Sequence, residues 1–261
     1  MDNRIFFILL VTAILMACSN NMIPADKTIP SNSIKLKKEL NEISGLAWVS
    51  DSILACVQDE KAHVYYLDSY TGKILDSFDF GHNGDFEGIA VDGNKTFILR
   101  SDGHILISKK RKKAKEYKFK KGKDFDFEGL CLDKPNNRLL VACKEHGQKQ
   151  MNKDVYIFGF SLEEKKYLKD PAFVLNRRKL GAKFKPSGIS IHPNGDIYIL
   201  SSFSKSLAVI NQNGDVLEVI HLDPNIYHQP EGICFDSKGN VFISNEKKNA
   251  FPSLLKLEII K

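Results

Sequence analysis

Three glutamates recur in one short setting: Phe86-Glu87-Gly88, Phe127-Glu128-Gly129 and Pro230-Glu231-Gly232. Serine takes the same place in two further copies, Ile43-Ser44-Gly45 and Pro186-Ser187-Gly188. Two residues before these positions stand Glu42, Asp85, Asp126, Lys185 and Gln229. Carboxylates gathered in one place suit a hard cation such as calcium, which prefers oxygen ligands. A cation held that way can anchor an anionic ligand or polarise a phosphoryl or lactone oxygen. Either chemistry requires acids that are far apart in the chain to converge, so the elements that carry them decide whether a site exists.

Those elements are repeats. The motif glycines 45, 88, 129, 188 and 232 follow one another at intervals of 43, 41, 59 and 44 residues. A period of about 40–45 residues is the length of four short strands in a propeller blade. In the fourth copy, β-rich runs cover 188–192, 196–201, 207–211 and 216–222, separated by Asn194-Gly195 and Asn213-Gly214. Asn-Gly is a strong signal for a tight hairpin. No long stretch after residue 33 keeps an apolar period of 3.6, so the chain is read as all-β. Sheets of four strands bury both faces only against neighbours, which predicts a ring. The fifth copy runs out after three strands, and the run 33–37 is expected to supply the fourth. The expected fold is a five-bladed β-propeller closed by pairing of the N- and C-terminal strands. The long third interval leaves six blades as an alternative; segments 145–153 and 176–185 are read as insertions.

In such a blade the first strand begins beside the end of the second. The motif acids are thereby expected at one face, around the channel, with the second-strand ends. The candidate ligand or metal residues are Glu42, Asp59, Asp85, Glu87, Asp102, Asp126, Glu128, Glu145, Glu231, Asn245 and Glu246. A purely structural reading competes, with Glu87 paired to Arg100 and Glu128 to Lys144. Asp124 to Gly129 starts like a calcium loop, but the twelfth position is Pro135 where the loop needs Glu. There is no HExxH, GxSxG, P-loop or CxxC motif.

The first residues differ from the rest. Arg4 precedes a nearly unbroken apolar run over 5–16, then Ala17-Cys18-Ser19. This is the layout of an export signal, too short for a membrane-spanning helix. Leu15-Met16-Ala17-Cys18 resembles the lipobox of bacterial lipoproteins, which implies cleavage before Cys18 and its acylation. The expected organisation is a signal peptide over 1–17, a tether over 18–33 and a propeller over 34–261. The expected location is the cell envelope, anchored to a membrane and facing the periplasm, as a monomer. The net charge is +6. A run of Lys and Arg from Lys109 to Lys123 contributes much of it. Such a run can touch phosphates of lipid headgroups or nucleic acid, but it is read as a solvated strand edge, where Lys discourages unwanted pairing. An exported protein has no nucleic-acid partner to expect. Cys56 and Cys143 share one repeat position and Cys131 and Cys234 another, so they are read as small buried side chains rather than disulfides.

Glu42-Ile-Ser-Gly-Leu-Ala-Trp48, Asp85-Phe-Glu-Gly-Ile-Ala90 and Asp126-Phe-Glu-Gly-Leu130 resemble the SdiA-regulated domain family over about 36–261. The resemblance implies an envelope propeller related to phytase-like and NHL-like propellers. A ligand- or partner-binding module is the leading expectation, with calcium at the channel mouth. The phytase-like kinship implies the alternative, metal-dependent hydrolysis of phosphate esters or lactones, with Arg100 and Lys144 contacting phosphate. Ser at two of five motif positions thins such a metal cage.

Overall fold

In the computed structural model, residues 28–120, 124–148, 151–248 and 250–257 are described. The signal peptide and Cys18 lie outside them. The strands are β1 (Asn32–Lys35), β2 (Ile43–Ser50), β3 (Ile53–Gln58), β4 (His63–Asp68) and β5 (Ile74–Asp79). They continue with β6 (Phe86–Asp92), β7 (Lys95–Arg100), β8 (Ile105–Lys109), β9 (Lys115–Tyr117), β10 (Phe125–Asp133) and β11 (Arg138–His146). Next come β12 (Asp154–Ser161), β13 (Lys166–Tyr167), β14 (Phe173–Asn176), β15 (Gly188–Ile191), β16 (Ile197–Ser201) and β17 (Ser206–Ile210). The last are β18 (Val216–His221), β19 (Pro230–Phe235), β20 (Val241–Asn245) and β21 (Ser253–Leu257).

They form five antiparallel blades: β2 to β5 is blade I, β6 to β9 blade II, β10 to β14 blade III, β15 to β18 blade IV, and β19, β20, β21 and β1 blade V. The N-terminal strand closes the ring, pairing Asn32 with Lys256 and Lys35 with Ser253. Five blades replace the six-bladed alternative. The long third interval lies inside blade III, where the fourth-strand place is divided. β13 pairs one end of β12 and β14 the other. A one-turn helix, α1 (Arg177–Leu180), follows. Arg177 fastens it by donating to the carbonyls of Asn152 at 2.7 Å and Asp154 at 3.2 Å.

The period-two pattern of each strand divides its side chains between two neighbouring blades. On β3, Leu54 and Cys56 join the apolar layer between blades V and I, whereas Ala55 and Val57 join the one between I and II. Equivalent layers separate II from III, III from IV and IV from V. The core is thus a ring of five interfaces. Cys56, Cys131, Cys143 and Cys234 lie in these layers, buried and free. Phe125 and Phe127 of the calcium-loop look-alike form part of strand β10 and pack against Phe158, with ring centroids 5.6 and 5.7 Å away.

The motif glycines follow from the ring. A Cβ on Gly45 would lie 2.7 Å from Gly88 Cα, and one on Gly188 2.5 Å from the Glu231 carbonyl oxygen. A Cβ on Gly232 would meet the Ser44 carbonyl oxygen at 2.6 Å, across the closing seam. Five first strands converging on one axis leave no room for a side chain there.

Candidate functional site

Each first strand runs away from one face, and each second strand returns to it. In register, Phe86 lies opposite Arg100, Asp126 opposite Glu145 and Pro230 opposite Asn245. Backbone bonds join the blades at this face: Phe86 N–H donates to the Asp59 carbonyl at 2.9 Å and Phe127 N–H to that of Ser101 at 2.9 Å. This stitching holds the acid-bearing strand starts around the channel mouth.

Glu87, Glu128 and Glu231 act on one another electrostatically, from three blades. Burial pushes Glu128 up to about 8, reinforced by Glu231 and opposed by Lys144. Burial lifts Glu87 to about 10, with Glu128, Asp85 and Glu231 adding to the effect. Glu231 rises to about 7 through burial, moderated by Ser202, Lys144, Gln229 and Lys205. Burial also raises Asp126, against the pull of Lys144.

A second group sits where blade V meets blade I. Glu246 bonds the side chains of Gln229 and Glu42, and burial with these acids raises it to about 8. Asp59 is raised to about 6 by burial, then by Glu42, Glu60 and Asp85. Its Oδ1 is buried with no hydrogen-bond partner among the described residues. Each shift has the same cause: desolvation plus like charge disfavours the ionised carboxylate.

Cations are fewer. Lys144 bonds Glu128 and lies 3.7 Å from Asp126. Burial pulls its ammonium down, but Glu128 and Asp126 outweigh that and hold it above the usual lysine range. Lys205 acts on Glu231 from a turn where it also donates to the Ser202 carbonyl at 2.6 Å. Sequence reasoning missed Lys205; it follows a second strand, but the repeat motif carries no signal for it.

Other candidates are placed elsewhere. Arg100 does not pair with Glu87. It bonds Asp102 at 2.8 Å and Glu116 at 3.1 Å, beside His104, so Arg100 and Asp102 form an outer ion-pair group of blade II. Glu145 pairs with Lys185 at 2.8 Å. Asn245 is buried and donates to the Ile226 carbonyl at 3.0 Å and Ser253 Oγ at 3.2 Å. The expected Glu128–Lys144 pair is present.

The two serines do something different from the glutamates. Ser44 Oγ donates to the Phe86 carbonyl and Ser187 Oγ to the Pro230 carbonyl at 2.9 Å, each bridging to the next blade. Among the described residues no three Asp, Glu, His or Cys side chains stand close enough together to hold a metal ion. The mouth offers a set of desolvated acids held above the usual carboxylate range. At the other end of the channel all five first strands line an axial cavity of about 210 Å³, including Leu46, Ala90, Leu132, Ile189 and Phe235.

Solved propeller structures resemble the chain at low identity. Glutaminyl cyclase from Myxococcus xanthus matches with a TM-score of 0.61 and 14% identity, over 88% of this chain and 95% of that one. The PQQ-bound aldose sugar dehydrogenase of Streptomyces coelicolor gives 0.59 and 12%, over 88% and 97%. A chain of a nidogen/laminin complex gives 0.55 and 16%, over 83% and 76%. At such identities the likeness establishes the fold. No curated protein is significantly similar in sequence. A family model spans residues 27–254, including all five motif copies, and the chain belongs to the SdiA-regulated family.

Proposed function

We propose that this protein is an envelope-anchored lipoprotein whose propeller is a binding module, taking a ligand or partner that presents a cationic group to the channel mouth. One observation carries the reading: Glu87, Glu128 and Glu231 from three blades, with Asp85, Asp126, Asp59, Glu42 and Glu246 beside them, face Lys144 and Lys205 as their nearby cations. A low-dielectric cluster of like charges gains most when an opposite charge enters, because attraction is strengthened where repulsion was. A bound ammonium or guanidinium would replace the protons that these acids hold at neutral pH. The envelope location rests on the pattern around Cys18. The hydrolase alternative has no specific support at the mouth, since Arg100 is engaged by Asp102 and Glu116.

Thermal unfolding in the presence of arginine, putrescine or calcium tests this. A ligand that binds the folded state raises the melting temperature. The expected result is a rise with at least one of the organic cations, weakened in Glu231→Gln, and proton release on binding at pH 7. A rise with calcium alone would make the ligand the metal. No rise with any of the three would overturn the reading.

A further inference from the structure

The basic run of blade II divides into two parts with different surroundings. The edge strand β9 and its continuation carry Lys115, Lys118 and Lys120, where protection of a free edge accounts for them. Lys109 ends β8, beyond the residues that β9 covers, directly opposite Lys95 on the second strand β7. Like charges so placed repel, and edge protection gives no reason for Lys95, which lies between β6 and β8. Blade III adds a third: Lys165 is lowered by burial and then by the charges of Lys95 and Lys109. Nearby lysines have acids, Lys134 with Asp92 at 3.1 Å and Lys166 with Glu164 at 3.3 Å. Among the described residues no carboxylate forms an ion pair with Lys95, Lys109 or Lys165; Asp92, opposite Lys95 on β6, is paired with Lys134.

The backbone points the same way. The turn between third and fourth strands has glycine in the left-handed region in blade I (Gly72, φ 67°) and blade IV (Gly214, φ 85°). In blade II that region holds Lys110 and Arg111, at 53° and 57°, and in blade III Lys165, at 55°. Side chains with a Cβ are disfavoured there, so two blades keep basic residues where the other turns use glycine. Between β9 and β13 lies a groove of about 480 Å³ walled by Tyr117, Lys118, Lys120, Lys165, Lys166 and Tyr167. Its one acid among the described residues, Glu116, is tied to Arg100 and His104.

We propose that the junction of blades II and III binds phosphate groups, with Lys95, Lys109 and Lys165 at its head and the groove leading from Lys165. Ammonium groups carried on three separate backbone positions within electrostatic reach of one another suit a tetrahedral, multiply charged oxyanion, which accepts from several directions. A planar carboxylate would be better served by the fork of an arginine. An arriving phosphate relieves the repulsion among the three lysines. The site is independent of the acidic mouth, which lies where the first strands begin.

Titration calorimetry with tripolyphosphate, and co-sedimentation with phosphatidylcholine vesicles with or without phosphatidylglycerol, test the proposal. The exported domain is compared with a Lys95→Gln/Lys165→Gln variant and with Lys73→Gln/Lys238→Gln, which removes equal charge from other turns. Tripolyphosphate or phosphatidylglycerol binding should weaken about tenfold or more in the first variant and much less in the second. Vesicle binding with that pattern assigns the phosphate to a lipid headgroup; tripolyphosphate binding alone assigns it to a soluble ligand. Without ligand the first variant should melt above the wild type. Should it fail to fold, Lys95→Arg/Lys165→Arg keeps the charge and should retain binding. Absence of binding in the wild type, or equal weakening in both neutral variants, overturns the proposal.

Discussion

Blades I and IV carry serine where blades II, III and V carry glutamate, and the two groups use one backbone position for different ends. Ser44 and Ser187 are buried and spend their hydroxyls on the next blade's carbonyl, just before Glu87 and Glu231. The glutamates reach the channel mouth, where burial and their neighbours raise all three. The serine is a stitch and the glutamate lines the mouth. A repeat protein can thus divide one position between closing its ring and building a charged mouth. Here each stitch pins the strand that carries the following blade's acid.

The glycine that both kinds of unit share should give the largest effect. In Gly188→Ala the new Cβ would meet the Glu231 carbonyl oxygen at 2.5 Å. A loss of about 3 kcal/mol or more is expected, since the obstacle is backbone. Denaturant unfolding measures it; a loss as small as that of an exposed substitution would show that the inner strands can slide apart.

Next comes the pH dependence of the glutamates. Glu87, Glu128 and Glu231 are raised from 4.5 to about 10, 8 and 7. The folded state therefore binds more protons than the unfolded one between those limits, so stability falls as pH rises. The contribution is complete below about pH 4.5, the unfolded value, and is lost as pH climbs through 7, 8 and 10. Melting temperatures between pH 5 and about pH 9 should decline in the wild type and flatten in Glu87→Gln/Glu231→Gln. A wild-type curve rising over that range would refute the raised carboxyls at the mouth.

Removing a stitch should cost less. Ser44→Ala leaves the Phe86 carbonyl without its donor, a loss of about 1–2 kcal/mol for a buried acceptor. The cost should be nearly independent of pH, unlike the glutamate variants. Smallest is Arg100→Gln, which breaks an exposed group with Asp102 and Glu116 worth about 1 kcal/mol at most. It should leave cation binding at the mouth unchanged; a clear loss there would return Arg100 to the site.

The sequence displayed the repeat because each copy meets the same physical demands: a glycine where strands crowd the axis, and alternating apolar residues for two flanking blades. Ring closure was legible from a missing fourth strand. The convergence of Glu87, Glu128 and Glu231 followed once the period was known. The partners of single long side chains did not. Arg100 had two sets of carboxylates in reach, and spacing cannot choose between Glu87 and the Asp102–Glu116 pair.

The amino-acid order alone determined the repeat, the β class, the placing of cysteines in apolar layers and the gathering of acids at one face, and left five or six blades open. These follow from periodicity and local backbone preference, which act within a copy or between identical copies. Only the tertiary structure decided that there are five blades, which acids lose water, that the serines bond the next blade, and that Lys165 of blade III feels the charges of Lys95 and Lys109 in blade II. Those outcomes depend on distance and burial between residues that no local pattern links, and electrostatic energy is set by both.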